Sequence, residues 1–294
     1  FCGGLSLSDP MNSGAVALFA WESVTQDVRD ALAAIAGLRH TIAVNAADTA
    51  ELPQGALSFD ALLAVGSSSF DMVWTMPDDT AVLQYVPVQG EWLGVELTHA
   101  NLLLNATALA DRVLHITGSA VALAALPLSS AFGQTAAMNA PVYAGAAVSL
   151  LPAWNAQSAL QAMERDNVTL LPCTPSLIDE LLGAAGERRA VAPALTLCTC
   201  LGAPLSDTTR ARFAGCSDAA LLEGYGLAQA SPIVTMNSVE TQRRGSLGRP
   251  LWGTEVAIMN DDGKRLPPER TGEICVRGHN VMKGYYGRPD ATDA

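Results

Sequence analysis

An α/β fold is predicted, with parallel sheets covered by helices and a smaller, β-barrel-like lobe toward the C-terminus. Short apolar runs alternate with helical patterns along most of the chain, which is typical of parallel strands joined by crossover helices. From about Arg249 the pattern changes to strands joined by a tight turn. We therefore predict α/β subdomains over residues 1–248 and a β-rich subdomain over residues 249–294.

The predicted strands are short and continuously apolar, as expected of strands that are buried on both faces. They are Ala15–Ala20, Thr41–Val44, Ala120–Leu126, Thr169–Pro172, Leu195–Cys200 and Ala219–Glu223. The segments between them carry apolar residues at helical spacing. These helices are Gln26–Ala36, Thr98–Leu114, Ala156–Asp166 and Pro175–Leu182. Thr98 is a favourable N-cap residue, so His99 is interpreted as the start of a helix rather than as a catalytic base.

The β-rich region is predicted from two apolar runs, Val256–Met259 and Gly272–Val276, with a turn at residues 260–263. Asp262 followed by glycine is a favoured sequence for a tight turn. Asp261 and Asp262 together could also suggest a metal site. The turn explains both residues without one, so no metal ligand is assigned.

Composition and charge exclude several classes of partner. The chain has 294 residues, 49% of them hydrophobic and 16% charged, which is typical of a folded core rather than a disordered chain. Its 17 basic and 29 acidic residues give a net charge of −12, which disfavours nucleic acids and anionic membranes as partners. No apolar run reaches the roughly 18 residues that span a bilayer, so no transmembrane segment is predicted.

The cysteines form no recognisable disulfide framework. Six are scattered along the chain, and the pair Cys198 and Cys200 lies in an apolar run without a second pair to complete a metal site. We interpret them as core residues, and we expect a reducing, cytoplasmic location.

Five sequence blocks occur in an order that matches a known superfamily. They comprise residues 126–128 with 131–134, residues 201–205, residues 223–227, residues 245–250, and residues 271–278 running into 281–286. Together they resemble the adenylate-forming superfamily, and most closely its acyl-CoA synthetases. Members of that family join a carboxylate to the α-phosphate of ATP, release pyrophosphate and pass the acyl group to a thiol such as coenzyme A. ATP or AMP, Mg²⁺, coenzyme A and a carboxylate or acyl ligand are therefore implied by resemblance only.

Residues 85–94 stand where the family keeps its phosphate loop, which resembles Thr-Ser-Gly-Thr-Thr-Gly-x-Pro-Lys-Gly. Gly90 and Gly94 match, whereas Leu93 takes the place of the lysine. No shift of alignment restores that cation, because the chain's two lysines lie far toward the C-terminus, at Lys264 and Lys283. The apolar, β-branched sequence predicts a strand or a packed turn, and a loop that does not hold phosphate.

Two further positions lack the family's ATP-facing chemistry. In the family's Tyr-Gly-x-Thr-Glu block, Ala228 replaces the threonine and Gln229 replaces the glutamate that binds Mg²⁺. A neutral amide is a poor substitute because Mg²⁺ prefers carboxylate oxygens. Ser129 and Ser130 replace an aromatic-His pair, a change that family variation could equally explain. No catalytic residue and no metal ligand is assigned, and adenylation is predicted to be impaired.

The blocks facing the adenine and the acyl group are preserved. By resemblance, the wall under adenine is formed by Gly202, Ala203 and Pro204, and Tyr225 stacks on the base. Gly224 and Gly226 would let the backbone approach the bound carboxylate or adenylate, since a side chain there would fill the cleft. The same resemblance places Phe132, Gly133, Cys173 and Pro175 in the acyl pocket. An alternative stays open, in which all of these are core and turn residues of an inherited fold.

The resemblance also implies that the first subdomain is truncated and that the family's small C-terminal catalytic domain is absent. Three functions remain as hypotheses. The first is an inactive or impaired acyl-CoA synthetase homologue that retains an acyl or adenylate pocket. The second is a functional ligase fragment that needs a partner domain or protein. The third is a decayed fragment or interaction module without a ligand.

Overall fold

The computed structural model describes residues 13–21, 37–44, 55–186 and 192–293. The chain divides into two compact units. The first contains the described residues up to Thr75 together with residues 87–94 and those from Tyr286 onward. The second contains residues 76–86 and 95–285. The predicted helix Gln26–Ala36 lies outside the described residues, and the predicted boundary between residues 248 and 249 stays a prediction.

The first unit contains a small parallel sheet and a short helix. The sheet has the order β1-β2-β3, with β1 at Ala17–Trp21, β2 at His40–Val44 and β3 at Leu57–Ser58. The first two strands confirm the strands predicted nearby. Helix α1, Phe59–Val65, begins where the hydroxyl oxygen of Ser58 accepts a hydrogen bond from the Ala61 N–H, and it has no buried residue.

A hairpin and one short strand form a separate three-stranded sheet. It has the order β15-β5-β4, built from β4 (Thr80–Val88), β5 (Glu91–Thr98) and β15 (Gly284–Tyr285). The chain then enters helix α2, His99–Thr107, through a capping box in which Thr98 and Asn101 each bond the other's backbone. The N-cap prediction is confirmed, with asparagine taking the part that glutamate or glutamine usually plays. The helix continues from Ala108 to Leu114 in π-helical form.

A seven-stranded sheet dominates the second unit, with the order β12-β11-β10-β9-β8-β6-β7. Its strands are β6 (Val121–Ala124), β7 (Ala147–Leu150), β8 (Leu170–Cys173), β9 (Leu197–Cys200), β10 (Ala220–Gly226), β11 (Ile233–Met236) and β12 (Arg249–Pro250). The five strands from β10 to β7 in this order run parallel to one another. Strand β11 pairs antiparallel with β10, and β12 pairs antiparallel with β11. The predicted parallel sheet is therefore confirmed.

Helices cover both faces of this sheet. One face packs on α4 (Ala156–Arg165), α5 (Pro175–Ala185) and α6 (Asp207–Cys216). The other packs on residues 106–114 and on a π-helical segment, Gly133–Asn139, that continues into α3, Ala140–Tyr143. Neighbouring strand residues face opposite layers, so Leu123 and Leu171 belong to the first core while Ala122 and Leu170 belong to the second.

The C-terminal part contains the antiparallel pair β13 (Thr254–Met259) and β14 (Glu273–Gly278), followed by a short helix α7, Pro289–Asp293. The predicted turn at residues 260–263 is confirmed, since Gly263 N–H donates to the Asn260 carbonyl at 2.9 Å. After this turn the chain forms only a single bridge, between Met259 and Arg265. Strand β14, which pairs with β13, begins further along the chain at Glu273. In the part of the chain that the structure describes, no helix combines the length and the apolar character needed to cross a membrane.

Two buried asparagines tie α2 to distant parts of the second unit. Asn105 is fully buried, and its amide donates to the Ile233 carbonyl at 2.7 Å while its oxygen accepts from the Ile233 N–H at 3.2 Å. The Asn101 amide donates to the carbonyls of His279 and Val281 at 2.6 and 3.0 Å. Both the oxygen and the nitrogen of the Asn105 amide therefore have a hydrogen-bond partner, which offsets the cost of burying them.

Candidate functional site

The candidate site lies at the carboxyl edge of the parallel strands, where ligands of open α/β sheets usually bind. Strand register aligns Cys173 with Cys200, and Cys200 with Glu223. The residues that follow these three positions therefore emerge at the same edge. The Leu201 N–H donates to the Cys173 carbonyl at 3.3 Å, which continues the pairing one step past the strands.

Gly202 follows β9 in a left-handed conformation, with φ at +96°. A Cβ atom added there would meet only the Thr174 methyl, at 3.6 Å, so space alone does not require glycine. The backbone conformation does, because φ in this region strains other residues. Gly202, Ala203 and Pro204 are all exposed, so this edge presents an open surface rather than packed core.

Thr174 and Pro175 start helix α5 beside that surface. The Thr174 hydroxyl accepts from the Leu177 N–H at 3.5 Å, and Pro175 occupies the first turn, where its missing N–H costs nothing. Both residues are partly exposed. The structure thus brings the predicted pocket residue Pro175 and the predicted wall residue Gly202 to one edge of the sheet.

Gly224 and Gly226 are required by packing between strands. A Cβ atom on Gly224 would lie 2.7 Å from the Thr235 carbonyl oxygen, and one on Gly226 would overlap the Pro232 carbonyl. Both obstacles belong to the chain at β11, which pairs with β10 through an irregular register between Tyr225 and Gly226. These glycines are therefore explained by the fold itself, and their predicted contact with a ligand stays a prediction.

Replacing Gly226 by Ala is expected to lower the free energy of unfolding by about 3 kcal/mol, since backbone must move to admit the methyl group. Gly183 supplies the matched control, because it lies in α5 with nothing within 4 Å of an added Cβ. There the same change should stabilise the protein by about 0.5–1 kcal/mol. Urea denaturation of both variants checks this, and equal effects would contradict the packing described for β10 and β11.

The predicted acyl-pocket residues differ in their surroundings. Phe132 packs against the core that contains α2, and an added Cβ on Gly133 would overlap the Pro127 carbonyl. Cys173 is buried, with its Sγ 3.4 Å from that of Cys198, and burial raises the pKa of its thiol well above the ordinary value. A neutral, buried thiol suits core packing, as predicted for the cysteines.

Gln229 is held by its own hydrogen bonds. It lies in a single 3₁₀ turn, Ala228–Ala230, and its amide donates to the Tyr285 hydroxyl at 3.0 Å. Its backbone carbonyl accepts from the Met282 N–H at 2.8 Å. The side chain that the resemblance assigns to the Mg²⁺ position is therefore a neutral amide bonded to a tyrosine, and Ala228 beside it offers no hydroxyl.

Ser129 and Ser130 serve the backbone around them. The Ser130 hydroxyl donates to the Pro127 carbonyl at 2.7 Å and accepts from the Gly133 N–H at 3.1 Å. The Ser129 carbonyl accepts from the Gln84 amide at 2.6 Å. These contacts order the entry to the π-helical segment and give the Ser130 hydroxyl a structural role, whereas Ser129 contributes only its backbone carbonyl.

The segment at the family's phosphate-loop position is a tight β-hairpin. Strands β4 and β5 are hydrogen-bonded neighbours, and only Gln89 and Gly90 separate them. Both turn residues have positive φ, at 50° and 90°, which is the pattern of a type I′ turn. Leu93 is only 5% exposed, and the Gly94 carbonyl accepts from the Tyr286 N–H at 2.8 Å. The predicted strand or packed turn is confirmed.

A hairpin uses its backbone N–H groups differently from a phosphate loop. In an antiparallel ladder these groups point alternately to the partner strand and away from it, so successive N–H groups do not converge on one anion. The segment also carries no cation, since Leu93 replaces the lysine. The residues of the hairpin and Gln229 thus do not fit the triphosphate and Mg²⁺ that the family uses.

One of the two lysines is already paired within the second unit. Lys283 Nζ lies 3.2 Å from Glu96 Oε1, and the same carboxylate accepts a short hydrogen bond from the Thr80 hydroxyl. The Thr80 hydroxyl, with Lys283, lowers the pKa of Glu96. Lys264 belongs to the exposed turn after β13. Sequence reasoning missed the Glu96 cluster because its members are far apart along the chain.

A second ion pair lies beside the candidate site. Arg210 on α6 bonds the carboxylate of Glu223 on β10, and their side chains are 24% and 10% exposed. The Glu223 carbonyl also accepts from the N–H and the amide of Asn237, each at 2.9 Å. Arg210 thus bonds the side chain and Asn237 the backbone of Glu223, two residues before Tyr225 on β10, and no sequence pattern indicated either contact.

Comparison with known proteins shows to which family the chain belongs. The family described as AMP-binding enzyme matches residues 11–286. The chain belongs to this family. It is 32% identical over 220 residues to the long-chain-fatty-acid–CoA ligase of Bacillus subtilis (strain 168), covering 74% of this chain and 39% of that protein. It is 32% identical over 266 residues to 4-coumarate–CoA ligase 2 of Oryza sativa subsp. japonica, covering 84% and 46%.

A solved structure agrees with this assignment. The benzoate CoA ligase of Burkholderia xenovorans LB400 is similar with a TM-score of 0.84 and 25% identity, over 96% of this chain and 55% of that one. This AMP-binding family member is therefore an acyl-CoA ligase homologue with the α/β fold of the ligases' large N-terminal domain. It spans less than half the length of the two ligase sequences above, so their activities remain proposals for it.

Proposed function

We propose that this acyl-CoA ligase homologue binds an acyl or acyl-adenylate ligand but is impaired in forming it from ATP. The hairpin at residues 85–94 carries this proposal. A phosphate loop that lacks one hydrogen-bond donor and one charge loses about 1.5–3 kcal/mol for each. Gln229, hydrogen-bonded to Tyr285, adds a second deficit at the position expected to hold Mg²⁺.

Retained binding is supported by the open edge at Gly202–Pro204. These three residues are exposed, and the Gly202 conformation leaves only the Thr174 methyl near an added side chain. Tyr225 is the second-last residue of β10, at the same edge of the sheet, and it is partly exposed. Its ring can therefore stack on a planar base. Apolar acyl groups would gain about 0.8 kcal/mol per buried methylene, without help from a phosphate loop.

This chain's residues would act by binding and orienting the ligand, since the family's chemistry leaves little covalent work to side chains. Mg²⁺ and the triphosphate have no part in this proposal, because the residues present do not fit them. Gly202, Ala203 and Pro204 would lie under the base, and Tyr225 would cover it. Phe132, Gly133, Cys173 and Pro175 remain the proposed acyl-pocket residues, with Cys173 contributing through its position beneath the surface.

A second proposal is a ligase fragment completed by another domain or protein. The observation that favours it is that the AMP-binding family matches residues 11–286 in spite of the altered hairpin. In that case the missing cation would come from the partner. The two proposals differ in whether ATP is used once a partner is supplied.

Titration calorimetry with a non-hydrolysable acyl-adenylate analogue tests the binding site. We expect wild-type protein to bind the analogue, and Tyr225→Ala to bind it about tenfold more weakly because a stacked aromatic ring is lost. Tyr286→Ala is the matched control, since Tyr286 is 41% exposed and carries no proposed role. No binding by folded wild-type protein would reject the retained site and favour a protein without a ligand.

A further inference from the structure

An unusual exposed apolar segment follows helix α1. We call residues 66–75 the apolar linker. Its large side chains stand almost fully in solvent, with exposures of 86% for Phe70, 76% for Met72, 72% for Val73 and 91% for Trp74. Single exposed apolar residues are common, but a contiguous cluster that includes tryptophan marks an interaction site far more often than a bare surface.

The backbone of the apolar linker has few hydrogen-bond partners among the residues that the structure describes. It contains no helix or strand, and no described strand pairs with it. Its N–H groups make one side-chain bond that the structure describes, from Ser69 to the Ser67 hydroxyl at 3.1 Å. An extended segment with unpaired backbone groups can add to the edge of another sheet, and alternate side chains then fill pockets of the partner.

The sequence on either side of the apolar linker is acidic. Between Arg39 and Arg112 the sequence contains no lysine or arginine. The same stretch contains nine acidic residues, namely Asp48, Glu51, Asp60, Asp71, Asp78, Asp79, Glu91, Glu96 and Asp111. Asp71 lies within the apolar linker itself, and Asp60 lies in the first turn of α1 just before it. Asp60 and Asp71 are the charged side chains of α1 and the apolar linker, so both favour a partner that carries positive charge.

We propose that the apolar linker docks an extended, apolar segment of another protein that carries lysine or arginine. In an extended conformation Phe70, Met72 and Trp74 face one side, and Asp71 and Val73 face the other. The first side supplies an apolar strip, and Asp71 supplies a negative charge on the second side. A second copy of this chain is a poorer occupant because its net charge of −12 would repel the first. An anionic membrane is disfavoured for the same reason.

Two synthetic peptides of equal charge test the docking chemistry on the whole protein. One alternates valine with lysine, and the other alternates serine with lysine. We expect calorimetry to show the valine peptide binding at least about tenfold more tightly, since only that peptide offers apolar side chains to the linker. Its affinity should also fall as salt is raised, because the acidic residues contribute to the attraction.

Substitutions in the apolar linker test whether the valine peptide binds there. Phe70→Ser combined with Trp74→Ser should weaken binding of the valine peptide by at least about tenfold, and Asp71→Asn should weaken it by a smaller factor. Trp252→Ser is the control, since Trp252 is an exposed tryptophan outside the linker, at 61% exposure. Equal binding of both peptides, or unchanged binding by the double variant, would overturn the proposal and leave only non-specific charge attraction. A dimer that the double variant dissociates in sedimentation experiments would overturn it in favour of self-association.

These outcomes are independent of the acyl site. Calorimetry with the adenylate analogue on the Phe70→Ser, Trp74→Ser variant should match wild type, whereas Tyr225→Ala should bind the valine peptide normally. Loss of both ligands in either variant would show that folding, rather than a docking contact, had been changed.

Discussion

Replacing Arg210 by Met is expected to lower the free energy of unfolding by about 3 kcal/mol, measured by urea denaturation near neutral pH. The change leaves the Glu223 carboxylate without its partner at a site where its side chain is only 10% exposed. Burying a charge without a partner costs far more than losing an exposed ion pair. The loss should also weaken binding of the adenylate analogue, because Glu223 precedes Tyr225 on the same strand.

Arg212 provides the matched control on the same helix. It lies 3.5 Å from Asp179, and both side chains are 48% exposed. Arg212→Met should therefore change stability by less than about 1 kcal/mol. Adding Glu223→Leu to Arg210→Met should recover part of the lost stability, since no charge is then buried. Equal losses for Arg210→Met and Arg212→Met would contradict the buried pair.

Grafting the family's phosphate-loop sequence onto residues 85–94 is expected to create binding of Mg²⁺-ATP. The graft supplies glycines, hydroxyls and a lysine in place of the β4–β5 turn. Restoring one donor and one charge is worth roughly 3 kcal/mol, so the affinity for Mg²⁺-ATP should rise by about a hundredfold. Titration calorimetry of the graft and of wild type measures this gain.

The graft has a matched control that separates its two contributions. The same sequence with leucine kept in place of the lysine should gain only part of the affinity, since the charge is still missing. Circular dichroism establishes that both grafts are folded. Wild-type affinity in the folded, lysine-containing graft would contradict the view that residues 85–94 are the main deficit, and would direct attention to Gln229.

The central sheet was predictable because its strands are continuously apolar and its helices are periodic. Helix α6 was not predicted, since only Thr209 and Phe213 along it are buried and its apolar spacing is therefore weak. A strand or packed turn was predicted at residues 85–94 because Leu93 and its β-branched neighbours are apolar and favour such a structure over a phosphate loop. Its tight type I′ turn depends on the conformations of Gln89 and Gly90, which emerged only in the structure.

The resemblance assigned the residues of the candidate site, and the structure gives several of them a reason in the fold. The resemblance suggested that Gly224 and Gly226 let the backbone approach a ligand, whereas the structure places the β11 chain against them. The bond between Gln229 and Tyr285 joins residues 56 positions apart, and no local pattern reveals it. Likewise, the ion pair of Arg210 with Glu223 depends on how α6 packs beside β10.

The proposed impairment is tested most directly by carboxylate-dependent exchange of labelled pyrophosphate into ATP, with an active acyl-CoA ligase as the positive control. We expect no exchange above a protein-free blank for any fatty, benzoic or cinnamic acid, even where the adenylate analogue binds. The loop-grafted protein serves as a second sample in the same assay. Exchange by wild-type protein that depends on both the acid and Mg²⁺ would contradict the account, because the hairpin would then support the adenylation that we infer it cannot.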